Sequence, residues 1–222
     1  MSMIQRHTFD FLKELVANNN RDWFQANKER YEAARENVIE FAAALIEKVH
    51  KIDPGIDADL DAKKCVMRIY RDIRFSKDKT PYKNNFGVSL PTKGKRAGSA
   101  EYFLHISPGN NFIAGGYWMP AADHLKAIRQ EIDYNGNDLK KIVDDAEFIK
   151  LFGEFRKQEQ LKSVPREYSA ENENVELLKL KSFVAFHQLT DDELMQKDSV
   201  TVIASVCSKI YPLNVFINNA LS

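Results

Sequence analysis

Cysteine is scarce in this chain: Cys65 and Cys207 are the only two among 222 residues. They lie far apart and share no ligand spacing. That excludes a disulfide framework and argues against a cysteine-based metal centre, so both are expected to be reduced core residues of a cytoplasmic protein. Net charge is lacking too, because 32 basic side chains balance 32 acidic ones. A dedicated polyanion binder carries an excess of positive charge, so neutrality argues against nucleic acid as the main partner. No apolar run approaches the roughly 18 residues that mark a membrane span. The first residues lack the basic start and apolar stretch of a secretion signal. A membrane segment is therefore not expected. HExxH, GxSxG and GxxxxGK[ST] are all missing, which removes the usual zinc-protease, hydrolase and phosphate-loop signatures. His7, His50, His105, His124 and His187 show no ligand spacing, and neither metal nor cofactor is expected.

What is present reads as an α+β chain in one domain spanning residues 1–222. Apolar positions at helical spacing predict a helix over Phe9–Ala17 capped by Thr8. A second, capped by Asn20, runs from Arg21 to about Lys51, with a break allowed near Asn27 or Arg30. Over Cys65–Phe75 the period changes to two, predicting a half-buried strand with Met67, Ile69, Ile73 and Phe75 on its apolar face. Arg71 is out of phase there. Further strands are expected near Asn85–Leu90, Glu101–Ser107, Phe112–Trp118 and Phe183–Leu189. The first three are joined by turn chemistry that favours an antiparallel meander. The expected architecture is thus an antiparallel sheet of four to five strands packed with N-terminal and C-terminal helices. Pro120 is expected to open a helix that Asn135-Gly136 ends. Thr190 and Asp198 are expected to cap two final helices, and a separate amphipathic piece to run from Leu213 to Leu221. Gly115-Gly116 is too short for a dinucleotide fingerprint and reads as a bulge or a close backbone approach.

Charge is unevenly distributed. Residues 63–96 hold eleven Lys or Arg and two Asp, a local +9, which leaves −9 for the remainder. Arg68, Arg71 and Arg74 with Asp72 lie on the expected strand, and Lys77, Lys79 and Lys83 follow in the loop around Thr80-Pro81. Arginine forks and lysine point charges suit phosphate or carboxylate, so these seven residues form a candidate small-anion site. The same residues also fit an internal network, in which the arginines pair with Asp72, Asp78 or the acidic helices and orient the sheet. A third possibility is nucleic-acid binding, with Tyr70, Tyr82 and Phe86 as stacking surfaces; the acidic flanks count against it. His105, on the strand face it shares with Phe103, and Tyr82 are the candidate proton-transfer groups. The basic band would equally suit docking to an acidic partner or a second copy of the chain, and oligomeric state leaves no mark in the sequence.

The run from Arg68 through Asp72, Arg74, Lys77-Asp78-Lys79-Thr80-Pro81-Tyr82 to Lys83 resembles the signature of the domain of unknown function 2461 family of bacterial and fungal proteins. So does the N-terminal Phe11-Leu12…Asn19-Asn20-Arg21-Asp22-Trp23-Phe24…Asn27-Lys28…Tyr31. Tyr102–Gly109 and Gly115–Pro120 look like the family's central hairpin, and Leu180–Phe183 continues the match. The chain departs from the pattern at Val164–Tyr168, where relatives tend to carry a glycine. The resemblance implies fold and soluble character, and it implies no reaction.

Overall fold

The computed structural model describes residues 2–92, 98–155 and 159–222. The predicted turn residues and cations at 93–97 lie outside them. Four strands, β1 (Phe86–Leu90), β2 (Glu101–Ile106), β3 (Asn111–Tyr117) and β4 (Phe183–Leu189), form an antiparallel sheet in the order β1-β2-β3-β4. Along β2 the expected alternation holds: Tyr102, Leu104 and Ile106 are buried, while Phe103 and His105 are half-buried. Helices flank the sheet, so the fold class is the α+β architecture that the sequence predicts. The chain divides into two compact units.

The first unit comprises Met1–Leu90, Phe103–Ile113 and Gln188–Ser205. Its helices are α1 (Arg6–Ala17), α2 (Arg21–Ala26), α3 (Lys28–His50) and α4 (Ala62–Cys65), with α8 (Asp191–Met195) contributed later in the chain. Asn20 caps α2 by accepting from the Trp23 N–H at 2.9 Å. Asn27 then leaves helical geometry (φ −113°, ψ 21°), which separates α2 from α3 at one of the two predicted breaks. Thr8 is not the cap of α1, which begins two residues earlier. It is buried instead and donates to Asn37 Oδ1 at 2.8 Å. The same oxygen accepts from the Gln5 N–H, and Asn37 Nδ2 donates to the Met3 carbonyl. A buried amide with these three bonds anchors the start of the chain on α3. Thr190 opens α8 with a reciprocal capping box to Glu193.

The predicted strand over Cys65–Phe75 is corrected by the structure. After α4 the chain is extended but makes only isolated bridges, Val66 with Val88 and Tyr70 with Tyr82. Backbone bonds Met67 N–H to Gly87 O (2.9 Å), Lys83 N–H to Ile69 O (2.7 Å) and Arg71 N–H to Pro81 O (3.0 Å) tie the two legs together. A regular ladder fails for local reasons. Pro81 has no N–H to return, and Asp72 and Asp78 fold the chain between the legs by accepting from the Arg74 and Thr80 N–H groups two residues on. The supposed apolar face dissolves accordingly: Ile69 is buried, Ile73 half-buried, and Met67 and Phe75 exposed.

The second unit comprises Pro91–Tyr102, Ala114–His187 and Val206–Ser222. It contains α5 (Ala122–Val143), α6 (Ala146–Phe152) and α7 (Val175–Leu178). Here α5 does not end at Asn135-Gly136; Asn135 kinks it (φ −122°) and the helix resumes. The side chain of Asn174 fills the space beside Gly136, leaving 2.4 Å where a Cβ would stand. The close approach expected at Gly115-Gly116 is present: a Cβ on Gly115 would lie 2.2 Å from Ile210, and one on Gly116 1.9 Å from the Phe183 carbonyl oxygen. The last helix, α9 (Ser199–Ala220), shared by the two units, is continuous through Pro212, so the separate piece predicted over Leu213–Leu221 is its C-terminal part. By length and composition α9 would suffice to cross a membrane, yet 56% of its apolar window is buried within the protein, as in an ordinary core helix.

Candidate functional site

The basic segment is a hairpin-like excursion whose legs meet at Tyr70 and Tyr82. Asn19, in the turn between α1 and α2, fixes the returning leg. Its Nδ2 donates to the Tyr82 carbonyl at 3.0 Å and its Oδ1 accepts from the Tyr82 N–H at 3.1 Å. The Tyr82 ring stacks on Phe24 with centroids 4.0 Å apart and planes 14° from parallel. Phe11, Tyr31 and Tyr70 contact Phe24 as well. An aromatic cluster therefore seats the hairpin on the N-terminal helices, with favourable ring geometry.

Beyond the legs, the loop closes on its own charges. The Arg71 guanidinium donates to Asp78 and to the Thr80 hydroxyl, and it reaches Ser76 Oγ at 3.5 Å. Asp78 also accepts from the Thr80 N–H at 2.9 Å. That N–H, together with Arg71 and the Thr80 hydroxyl, lowers the Asp78 carboxyl to about 2. Arg74 chelates Asp72 through Nε (3.0 Å) and Nη2 (2.7 Å), and these bonds hold the Asp72 carboxyl below its ordinary value. Lys79 donates to the Ile73 carbonyl at 3.0 Å. Of the seven expected anion ligands, Arg71, Asp72 and Arg74 are thus engaged in internal pairs.

Lys83 differs. It is half-buried and lines a cleft of about 460 Å³ with Asn19, Arg71, Thr80, Asn84 and Asn85. Its ammonium makes no ion pair or side-chain hydrogen bond among the described residues. Asp78 borders the same cleft, but its charge is matched by Arg71. A second, more open cleft, also bordered by Asn19 and Thr80, is lined by Arg21, Ile73, Lys79 and Pro81. Arg68 and Lys77 are exposed and line neither cleft.

The two candidate proton-transfer groups are placed differently. Tyr82 is 4% exposed, and burial, followed by the neighbouring Tyr70, raises its hydroxyl pKa. The His105 ring lies flat on Phe112, with centroids 4.7 Å apart and planes 6° from parallel. Burial lowers its pKa and favours the neutral imidazole. Its described ring contacts are Phe112 and Phe103, both outside the basic hairpin. Of the three possible stacking surfaces, Tyr82 and Phe86 are core residues, and Tyr70 alone offers an exposed ring.

Two features were not apparent in the sequence. One is Asn19 itself, which stands 63 residues from the backbone it holds. The other is a tyrosine–histidine pair in the second unit, where Tyr117 Oη and His124 Nδ1 lie 2.8 Å apart. Gly98 (φ +99°) makes room for it, since a Cβ there would stand 2.3 Å from the Tyr117 oxygen. Tyr117 and His124 are seven positions apart, and a strand end and a helix start at those positions carry no joint signature. Another cleft, about 390 Å³, lies between α1 and α3. It is spanned by the bidentate Arg30–Glu14 pair, with both contacts at 2.7 Å, and bordered by His7, Asp10 and Lys13. Among the described residues no group of three or more His, Cys, Asp or Glu is placed to hold a metal ion.

No curated protein and no solved structure matches this chain. Residues 7–216 match a family described as a conserved hypothetical protein, DUF2461. That span takes in the N-terminal helices, the basic hairpin, the sheet and most of α9, and the chain belongs to this family.

Proposed function

We propose that the protein binds a small phosphate- or carboxylate-bearing ligand in the Lys83 cleft. The observation that carries this reading is the half-buried Lys83 ammonium, which lines a polar cleft without an ion partner among the described residues. A lysine held in this way favours an anion more than one with a carboxylate already beside it, because no internal pair must be broken first. The Asn84 and Asn85 amides supply neutral donors to the same cleft. A cytoplasmic location is part of this reading, on the scarcity of cysteine in the sequence.

The test is a thermal-shift series with inorganic phosphate, citrate and nucleoside monophosphates, run beside Lys83→Ala. A ligand at a hundredfold its dissociation constant stabilises by about 2.7 kcal/mol. In a chain of this length that is a rise of roughly 5–10 °C. The expected result is such a rise in the parent and its loss in Lys83→Ala. No rise with any anion, or an equal rise in the variant, would remove the proposal.

A second reading rests on the Arg71–Asp78 and Arg74–Asp72 pairs. In it, the arginines and aspartates serve as an internal network that shapes the loop beside the cleft. The two readings divide the basic residues between them. Arg71→Ala is then expected to loosen the loop, seen as faster amide exchange over residues 72–80, while Lys83→Ala leaves that exchange unchanged.

A further inference from the structure

Among the described residues, the most exposed large apolar side chain is Phe75, at 95%, in the loop between Arg71 and Pro81. Its described ring contact is the Arg74 guanidinium, whose carbon lies 5.9 Å from the ring centroid. Met67 and Tyr70, on the leg leading to it, are also exposed. Cations surround this apolar material. Residues 68–79 hold five Lys or Arg against two Asp, a net +3. Lys77 is exposed and has no ion partner among the described residues, and the Arg74 side chain is 76% accessible despite its bond to Asp72.

Such a combination has a defined physical complement. A phenylalanine left in water forgoes the free energy of burial, and cations beside it gain from anionic headgroups within a Debye length of the surface. Long basic side chains lay their stems along apolar material and keep their charges at the polar boundary. A nucleic-acid surface would ask for something else, because a stacking platform needs a ring whose plane is held from behind. Tyr70 is backed in this way, by Tyr82 at 5.5 Å and Phe24 at 6.2 Å. Phe75 has no ring behind it among the described residues, and hydrocarbon requires no fixed plane.

We infer that the loop at residues 72–80 docks on the surface of a bilayer carrying anionic headgroups, with Phe75 entering the acyl boundary and Arg74, Lys77 and Lys79 meeting the headgroups. This needs no spanning segment, and it does not depend on a ligand in the Lys83 cleft.

Flotation of the full chain with vesicles tests it. One set is phosphatidylcholine alone; the other is equal parts phosphatidylcholine and phosphatidylserine. The expected result is association with the serine-containing vesicles at low salt, weakened at high salt, and negligible association with phosphatidylcholine alone. Phe75→Ser, which alters an exposed position and whose fold is checked by circular dichroism, is expected to lower partition about tenfold or more. No flotation with either set overturns the inference, as does equal flotation of Phe75→Ser. Displacement by soluble glycerol phosphate at matched ionic strength also overturns it, because a soluble anion cannot replace insertion. Binding of a single-stranded oligonucleotide that Phe75→Ser abolishes, without vesicle flotation, would assign the loop to nucleic acid instead.

Discussion

The carboxamide of Asn19 takes the place of a neighbouring strand at Tyr82, donating to its carbonyl at 3.0 Å and accepting from its N–H at 3.1 Å. An amide side chain has one donor and one acceptor at the right separation for this, and aspartate or alanine does not. Asn19→Ala leaves two backbone groups of a buried residue without those partners, at a cost of about 1–3 kcal/mol. The expected consequence is a melting midpoint lower by roughly 2–10 °C, read by calorimetry. Asn19→Asp keeps the acceptor and loses the donor, so it should also destabilise.

The Asp78 carboxyl titrates at about 2 in the folded protein, against an ordinary value of 3.8. Because its folded value is depressed, the unfolded chain binds more protons in between. Its contribution is therefore complete above about pH 4 and is lost as pH falls towards about 2. Asp72, also lowered, acts in the same direction. Urea titrations at stepped pH should show Asp78→Asn with a shallower acid dependence than the parent. Parallel curves for the two would contradict this assignment.

Gly116 and Gly109 both adopt positive φ, at +125° and +73°, but only Gly116 is crowded. A Cβ at 116 would stand 1.9 Å from the Phe183 carbonyl oxygen, and at 109 nothing lies within 4 Å. Gly109→Ala should cost about 1 kcal/mol, the penalty of a left-handed alanine. Gly116→Ala adds a backbone clash and should cost several kcal/mol more, or prevent folding altogether. Soluble yield and urea midpoint report the difference.

Gly98 and Tyr117 should be energetically coupled. Gly98→Ala places a methyl 2.3 Å from the Tyr117 oxygen. Tyr117→Phe removes that oxygen together with the contact to His124. A double-mutant cycle is expected to show Gly98→Ala less damaging when combined with Tyr117→Phe than alone, with an interaction of about 0.5–3 kcal/mol. Additive effects would mean that the glycine is required for its φ of +99° alone.

The strands of the sheet were legible because alternation and turn residues act locally. β4 occupies the residues expected of it, and β1, β2 and β3 lie within one residue of their expected ends. The stretch after α4 misled for an equally local reason. Alternating charge and apolarity fit a strand, but Asp72 and Asp78 draw backbone N–H groups into turns that end the alternation. At the Asn135 kink, Gly136 looked like a helix stop, yet the glycine serves to admit Asn174 and α5 continues. For the candidate site, the basic residues themselves were plain in the sequence. Which of them are neutralised was not, because that depends on the rotamers that bring Arg71 to Asp78 and Arg74 to Asp72.

The Asn19–Tyr82 contact also bears on the order of events during folding. It joins positions 63 residues apart, and closing so long a loop carries an entropic penalty that helices α1 to α3 do not incur in forming. The wall of the Lys83 cleft is therefore complete only after those helices and the returning leg have met. During synthesis, the cleft cannot exist until the chain beyond Tyr82 has emerged. In refolding, amide protection of residues 80–85 should lag behind the recovery of helical circular dichroism.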